Sequence, residues 1–237
     1  MISKPLLLTS MCALFSLTKA VAQDNSSKFK AYDYVVNLNN DTIRCKIKFR
    51  TFTTAFQSAR KAANERIKYQ VDGVSGSKNV DADSIKAYYL SRDTSFYLSE
   101  YLPGTDYRIF VKLLQRGKIN LYEFSLSVGA TTAMQVNGSF IMTGNGKESY
   151  WYANKDNDSL KLIKMLRGTP HIAAEKYIGN TSRKKRQQDL FDLFADNPTL
   201  LIKFKEEIKN EDYGWDVIRN YIKMYNDEYA ESHKAAK

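Results

Sequence analysis

Arg44, Lys46, Lys48 and Arg50 stand at every second position of the segment Ile43-Arg44-Cys45-Lys46-Ile47-Lys48-Phe49-Arg50, with apolar or small residues between them. Alternation of that length predicts a strand with one buried and one wet face, and it sets the four cations in a row at a spacing of ~6.8 Å. Like charges in such a row repel unless acids on neighbouring strands or a polyanion compensate them. Glu65, Asp72, Asp83 and Glu100 are acids that adjacent strands could supply. Without that compensation, the row is a candidate ligand-binding face for an anion, and the formal net charge of +10 would steer such a partner to it.

Other residue types able to do chemistry have simpler structural readings. Ser-x-x-Lys occurs at Ser27/Lys30, Ser75/Lys78 and Ser182/Lys185, as chance allows in a chain rich in both residues, and there is no Gly-x-Ser-x-Gly elbow. Cys45 and His171 form the one thiol–imidazole combination, yet Cys45 shares its strand face with Ile43, Ile47 and Phe49, which predicts a buried small hydrophobe. The only histidines are His171 and His233, so a zinc site lacks ligands. Asp81/Asp83 and Asp156/Asn157/Asp158 resemble pieces of a calcium loop, but Leu160 and Lys161 stand where a further oxygen ligand and Gly belong. Acids capping a helix N-terminus account for Asp156 to Ser159 instead. Gly144-Asn145-Gly146-Lys147 reads as a hairpin turn, since Ile141 and Glu148 break a phosphate-loop pattern. No catalytic, metal or cofactor residue is assigned.

Residues 1–22 set the address. Met1 to Lys4 carries one positive charge, Pro5 to Leu17 is apolar or small, and Ala20-Val21-Ala22 offers a signal-peptidase site. The apolar stretch of about 13 residues is well short of the roughly 20 needed for a membrane-spanning helix. The expectation is an exported chain starting at Gln23, soluble in the periplasm or outside the cell, with no transmembrane segment after cleavage. Cleavage would remove Lys4 and Lys19 but no acid, taking the net charge from +10 to +8. It would also remove Cys12, which follows a bulky Met11 unsuited to a lipidation signal, and leave Cys45 without an intramolecular disulfide partner. Stability then rests on packing, for which aromatic residues at 13% supply ample material.

The elements that must position these residues fall into two regions. Residues 23–157 are expected to form an antiparallel β domain, a sandwich or partly closed barrel of seven to nine strands, and 158–237 a helical C-terminal region, giving an α+β fold. Tyr34 to Leu38 pairs with the basic strand across Asn39-Asn40-Asp41, and Tyr107 to Gln115 pairs with Lys118 to Ser125 across Arg116-Gly117. Arg66 to Val71, Ser84 to Leu90 and Ser95 to Leu98 are weaker strands. Leu160, Leu162, Ile163 and Leu166 fit a helix started at Asp158 or Ser159, and Pro170 could open a second one through Tyr177. Gly179 to Arg186, including the basic run Arg183-Lys184-Lys185-Arg186, reads as a solvated linker. Leu190, Phe191 and Phe194 make one apolar stripe; Leu200, Leu201, Phe204 and Ile208 make another behind Asn197 as N-cap and Pro198 at N1. Trp215, Ile218, Ile222 and Tyr225 define a last helix whose polar end frays from Glu228.

Asn40-Asp41-Thr42-Ile43-Arg44-Cys45-Lys46-Ile47-Lys48-Phe49 resembles the motif G-D-T-[IL]-x-G-x-I-x-[FY] near the start of many secreted, uncharacterised proteins of Bacteroidota, with Asn40 and Cys45 where that motif has Gly. Phe110 to Tyr122 is similar to a central hairpin of the same proteins, F-[VL]-x-x-L-x-x-G-x-I-x-L-Y, and Tyr225-Asn226 is similar to their closing segment. The resemblance implies an exported envelope protein and no catalytic residue.

These readings converge on a non-enzymatic cell-envelope or binding protein recognising an anionic envelope glycan or lipopolysaccharide. Nucleic acid is excluded as a partner for an exported chain with no nucleic-acid-binding motif. The alternative is a periplasmic or secreted hydrolase whose carboxylates come from distant strands.

Overall fold

The computed structural model describes residues 32–48, 64–128, 132–136, 139–143, 146–165, 181–208 and 214–234. The basic segment is strand β2 (Thr42–Lys48), and β1 (Tyr34–Asn37) pairs with it antiparallel, Tyr34 opposite Arg44 and Val36 opposite Thr42. The turn between them is built as its residue types predict. Asn40 adopts a left-handed φ of 70°, and the Asn37 carboxamide accepts from the backbone of Asn39 (2.9 Å) and Asp41 (2.8 Å).

From there the chain runs through β3 (Arg66–Val71), β4 (Lys78–Asp81), a short 3-10 turn (Ala82–Ser84), β5 (Ile85–Leu90), β6 (Ser95–Tyr101), β7 (Arg108–Gln115) and β8 (Ile119–Val128). A small hairpin, β9 (Thr132–Val136) with β10 (Ser139–Thr143), precedes β11 (Gly146–Lys155) and β12 (Lys161–Met165). Ten strands form one open antiparallel sheet in the order β12-β11-β8-β7-β6-β5-β1-β2-β3-β4. The α+β expectation therefore holds. The strand total exceeds seven to nine because short β4 and β12 form the two edges and residues 132–143 fold as a separate hairpin.

Residues 158–165 do not start a helix; Leu166 lies outside the described residues. Asp156 and Asn157, at φ 57° and 60°, make a tight turn between β11 and β12, and Leu162 pairs with Tyr152. β12 is covered on both faces, Leu162 packing with Tyr152 on one and Ile163 with Trp151 on the other. A strand buried on both sides loses its two-residue alternation, which is why its leucines imitate a helical stripe. The sheet thus extends past residue 157. The basic run is not a linker either: α1 (Arg183–Asp192) begins at Arg183, with Ser182 as N-cap accepting from Lys185 N at 3.2 Å. The third Ser-x-x-Lys is a helix cap. Pro170 to Tyr177 lies outside the described residues.

α2 (Pro198–Glu207) starts as expected, the Asn197 side chain accepting from Leu200 N at 3.1 Å. α3 (Trp215–Lys234) stays helical through the polar stretch expected to fray. The three helices put Leu190, Phe194, Leu200, Phe204, Ile218, Ile222 and Tyr225 against Ile119, Leu121, Trp151, Ala153 and Ile163 of the sheet. Each such side chain contributes about 1.5–3 kcal/mol by leaving water.

Two further cores explain the shape of the sheet. Cys45, Ile47, Ile67 and Tyr69 cluster with Tyr88, Leu90 and Phe110, although these residues come from strands up to five places apart on one face. The sheet must curl, because the three residues Ala82–Ser84 join edge strand β4 to β5, four places away in the strand order. Register shifts at Val36/Asn37 and Leu113/Gln115 supply bending points, and the 3-10 turn ties the β4 end across, Ser99 Oγ donating to Ala82 O at 2.6 Å. The opposite face holds Ile109, Val111, Tyr122, Phe124, Tyr150 and Tyr152. The described residues belong to one compact unit, Tyr32–Lys237, and none of their helices is long and apolar enough to cross a membrane.

Candidate anion-binding face

β2 is held by a carboxylate. Asp33 accepts from Ile47 N (3.0 Å) through one oxygen, and from Ser91 N (2.9 Å) and Ser91 Oγ (2.8 Å) through the other, so it couples β2 to the β5–β6 turn. Partial burial pushes its pKa up, but the bonds from Ser91 and Ile47 and the nearby Arg92 outweigh that and leave the carboxyl below its ordinary range. Cys45 faces the core as expected, 4% exposed, and burial with the Asp33 and Asp72 charges pushes its thiol up to about 11. Such a thiol is packing, not a nucleophile.

The other face of β2 carries the cations. Arg44, Lys46 and Lys48 are all exposed there; Arg50 lies outside the described residues. Lys46 stands opposite Gln70 and Lys48 opposite Lys68 on β3. Lys48 Nζ donates to Gln70 Oε1 at 3.0 Å. Of the four candidate acids Asp72 binds Arg44 at 2.7 Å, while the Arg44 guanidinium also lies over the Tyr32 ring. Arg66, in line with Lys68 and Gln70, is tied to Asp81. Both ion pairs are about half exposed, where water and salt screen them, so they add little to stability. Among the described residues no carboxylate pairs with Lys46, Lys48 or Lys68. Lys68 is the member that reading the basic segment alone misses. Its alternation with Ile67 and Tyr69 was visible, but the β2–β3 pairing that sets it beside Lys48 was not.

Next to the cations on the same face runs a line of rings. Cross-strand register places Arg44 opposite Tyr34, Tyr34 opposite Tyr89, and Tyr89 opposite Phe96. Tyr34 and Tyr89 stack with centroids 5.1 Å apart, Phe96 lies 6.4 Å from Tyr34, and the Arg116 guanidinium sits 5.6 Å over Phe96. All three rings are half-buried.

The groups weighed for catalysis do not converge. His171 lies outside the described residues. A cleft of about 380 Å³ opens beside the β11–β12 turn, lined by Asp156, Asp158 and Asp192 with Lys155 and Lys161. Its acids are engaged: Asp156 with Lys118, Asp158 with Ser159 N (2.8 Å), Asp192 with Gln188 (2.7 Å). Glu123 accepts from Ser149 Oγ (2.9 Å) and Ser125 Oγ (3.2 Å) in a half-buried network. Glu100 is the one described carboxyl raised above its ordinary value, by burial, with Arg108 opposing. Among the described residues no group of three His, Cys, Asp or Glu side chains could hold a metal ion.

No protein-family model, curated protein or solved structure matches the chain.

Proposed function

We propose that the protein is an exported, non-enzymatic binding protein of the cell envelope that takes an anionic ligand on the face formed by β2 and β3. One observation carries this reading: exposed Lys46 and Lys48 and half-buried Lys68 share one face of β2 and β3, Lys48 directly opposite Lys68, with no described carboxylate paired to them. Directly opposed like charges destabilise a sheet. Lys48 donates a hydrogen bond to Gln70 but has no described counter-charge, and a polyanion from outside would relieve the repulsion. Neighbouring Arg44 and Arg66, by contrast, are matched to Asp72 and Asp81 and serve the fold. Export is supported by the charged start, short apolar core and Ala20-Val21-Ala22 of the leader. An anionic envelope glycan or lipopolysaccharide is the partner such a protein meets. Binding of the mature protein to lipopolysaccharide and to an acidic polysaccharide, followed as salt rises, tests the reading. Affinity should fall steeply with salt.

A further inference from the structure

We infer that the ligand is an acidic polysaccharide, whose carboxylates lie on the Lys46/Lys48/Lys68 patch and whose sugar rings lie along Tyr34, Tyr89 and Phe96; this rests on the anion-binding reading. A charged patch alone would serve any polyanion. The register, however, makes the patch and the rings one surface: Arg44 lies two residues before Lys46 on β2, and the line Arg44, Tyr34, Tyr89, Phe96 crosses four neighbouring strands. Strands spaced ~4.8 Å apart set successive side chains at a repeat comparable to the length of a sugar ring.

The rings are unusual where they are. Apolar side chains on the far half of the same face, such as Tyr122 (3% exposed) and Tyr152 (0%), are closed into a core, whereas Tyr34, Tyr89 and Phe96 remain partly open to solvent. Tyr32, 41% exposed beneath Arg44, continues the line towards the lysines. A row of partly open rings that runs from beside the lysine-bearing strand β2 to Arg116 over Phe96 matches a chain with apolar C–H faces and regularly placed negative charge. A polyphosphate offers the charge without the faces, and a neutral glucan the faces without the charge. At such a surface the lysines supply attraction over distance, screened by salt, and the rings supply contact that salt leaves intact.

The test compares three probes on the mature protein: a polyuronate, linear polyphosphate at equal charge concentration, and dextran. Wild-type protein should bind the polyuronate more tightly than polyphosphate and bind dextran weakly or not at all. Tyr34→Leu with Tyr89→Leu, which keeps apolar bulk but removes flat rings, should weaken polyuronate binding about tenfold and leave polyphosphate binding unchanged. Phe96→Leu alone, a milder change, should move in the same direction, and an unaltered far-UV spectrum and melting temperature establishes that each variant is folded. Equal affinity of wild type for polyuronate and polyphosphate, or ring variants with unchanged polyuronate binding, overturns the polysaccharide assignment while leaving the anion-binding reading in place. Failure of wild type to bind either polyanion overturns both.

Discussion

The carboxamide of Asn226 holds the backbone of Ile119 from both sides, its oxygen accepting from Ile119 N and its nitrogen donating to Ile119 O, each at 2.9 Å. These residues lie 107 positions apart. The contact fastens the last helix to the β7–β8 hairpin, and Gly117 makes room for it: a Cβ there would overlap the Asn226 side chain. Lys118 adds to the seam by pairing with Asp156 and lying 4.8 Å from the Tyr229 ring centroid. Two segments that look unrelated along the chain, the glycine-centred hairpin and Tyr225-Asn226, are one joint.

Gly117→Ala should therefore destabilise the protein by about 1–3 kcal/mol, because Asn226 must withdraw and leave two backbone groups without their partner. Asn226→Ala should cost a similar amount. The double variant should cost clearly less than the two single changes added together, since the alanine Cβ then no longer meets the Asn226 carboxamide. Additive losses in denaturant titrations would show that Gly117 matters for some other reason.

Acid should loosen β2 through Asp33. Its folded pKa lies below the ordinary carboxylate value, so its contribution is fully present above that value and is lost as pH falls through the folded pKa. Asp33→Asn should lower stability at neutral pH by about 1–3 kcal/mol, through weakened bonds to Ile47 N and Ser91 N, and flatten the acid limb of the stability curve. Thermal melts across pH 3 to 7 would reveal an unchanged acid limb if Asp33 were not responsible.

Cys45 should resist alkylation in the native state at pH 8 and react at once in denaturant, since burial both shields the thiol and pushes its pKa to about 11. Rapid native labelling would show that β2 opens readily or that the thiol has a reactive role.

Intact-mass measurement on exported protein should give a chain beginning at Gln23. Retention of Met1, or a lipid on Cys12, would overturn the assignment of the leader.

How far the fold is legible in the sequence depends on whether a signal is local. The Asn39-Asn40-Asp41 turn, the Asn197 and Pro198 helix start and the Cys45 side of β2 are encoded within a few residues, and each is found in place. Leu160 to Leu166 misleads because β12 is buried on both faces, which erases the period that separates strand from helix. Arg183 to Arg186 hides a helix because charge suggests solvent, and the Ser182 cap that starts it shows itself in the structure. The candidate face is legible by half. Arg44, Lys46 and Lys48 announce themselves by alternation, but Lys68 depends on β3 pairing with β2 and the ring line on β1 lying between β5 and β2, an order that no short segment specifies.

The central claim, that the β2–β3 lysines bind an anion, is tested most directly by the salt dependence of binding. Affinity of the mature protein for an acidic envelope polysaccharide should be compared with that of a Lys46→Gln, Lys48→Gln, Lys68→Gln variant at several salt concentrations. The variant should bind more weakly and give a plot of log affinity against log salt that is shallower by roughly one unit for each lysine removed. The same affinity and the same slope in the folded triple variant would contradict it.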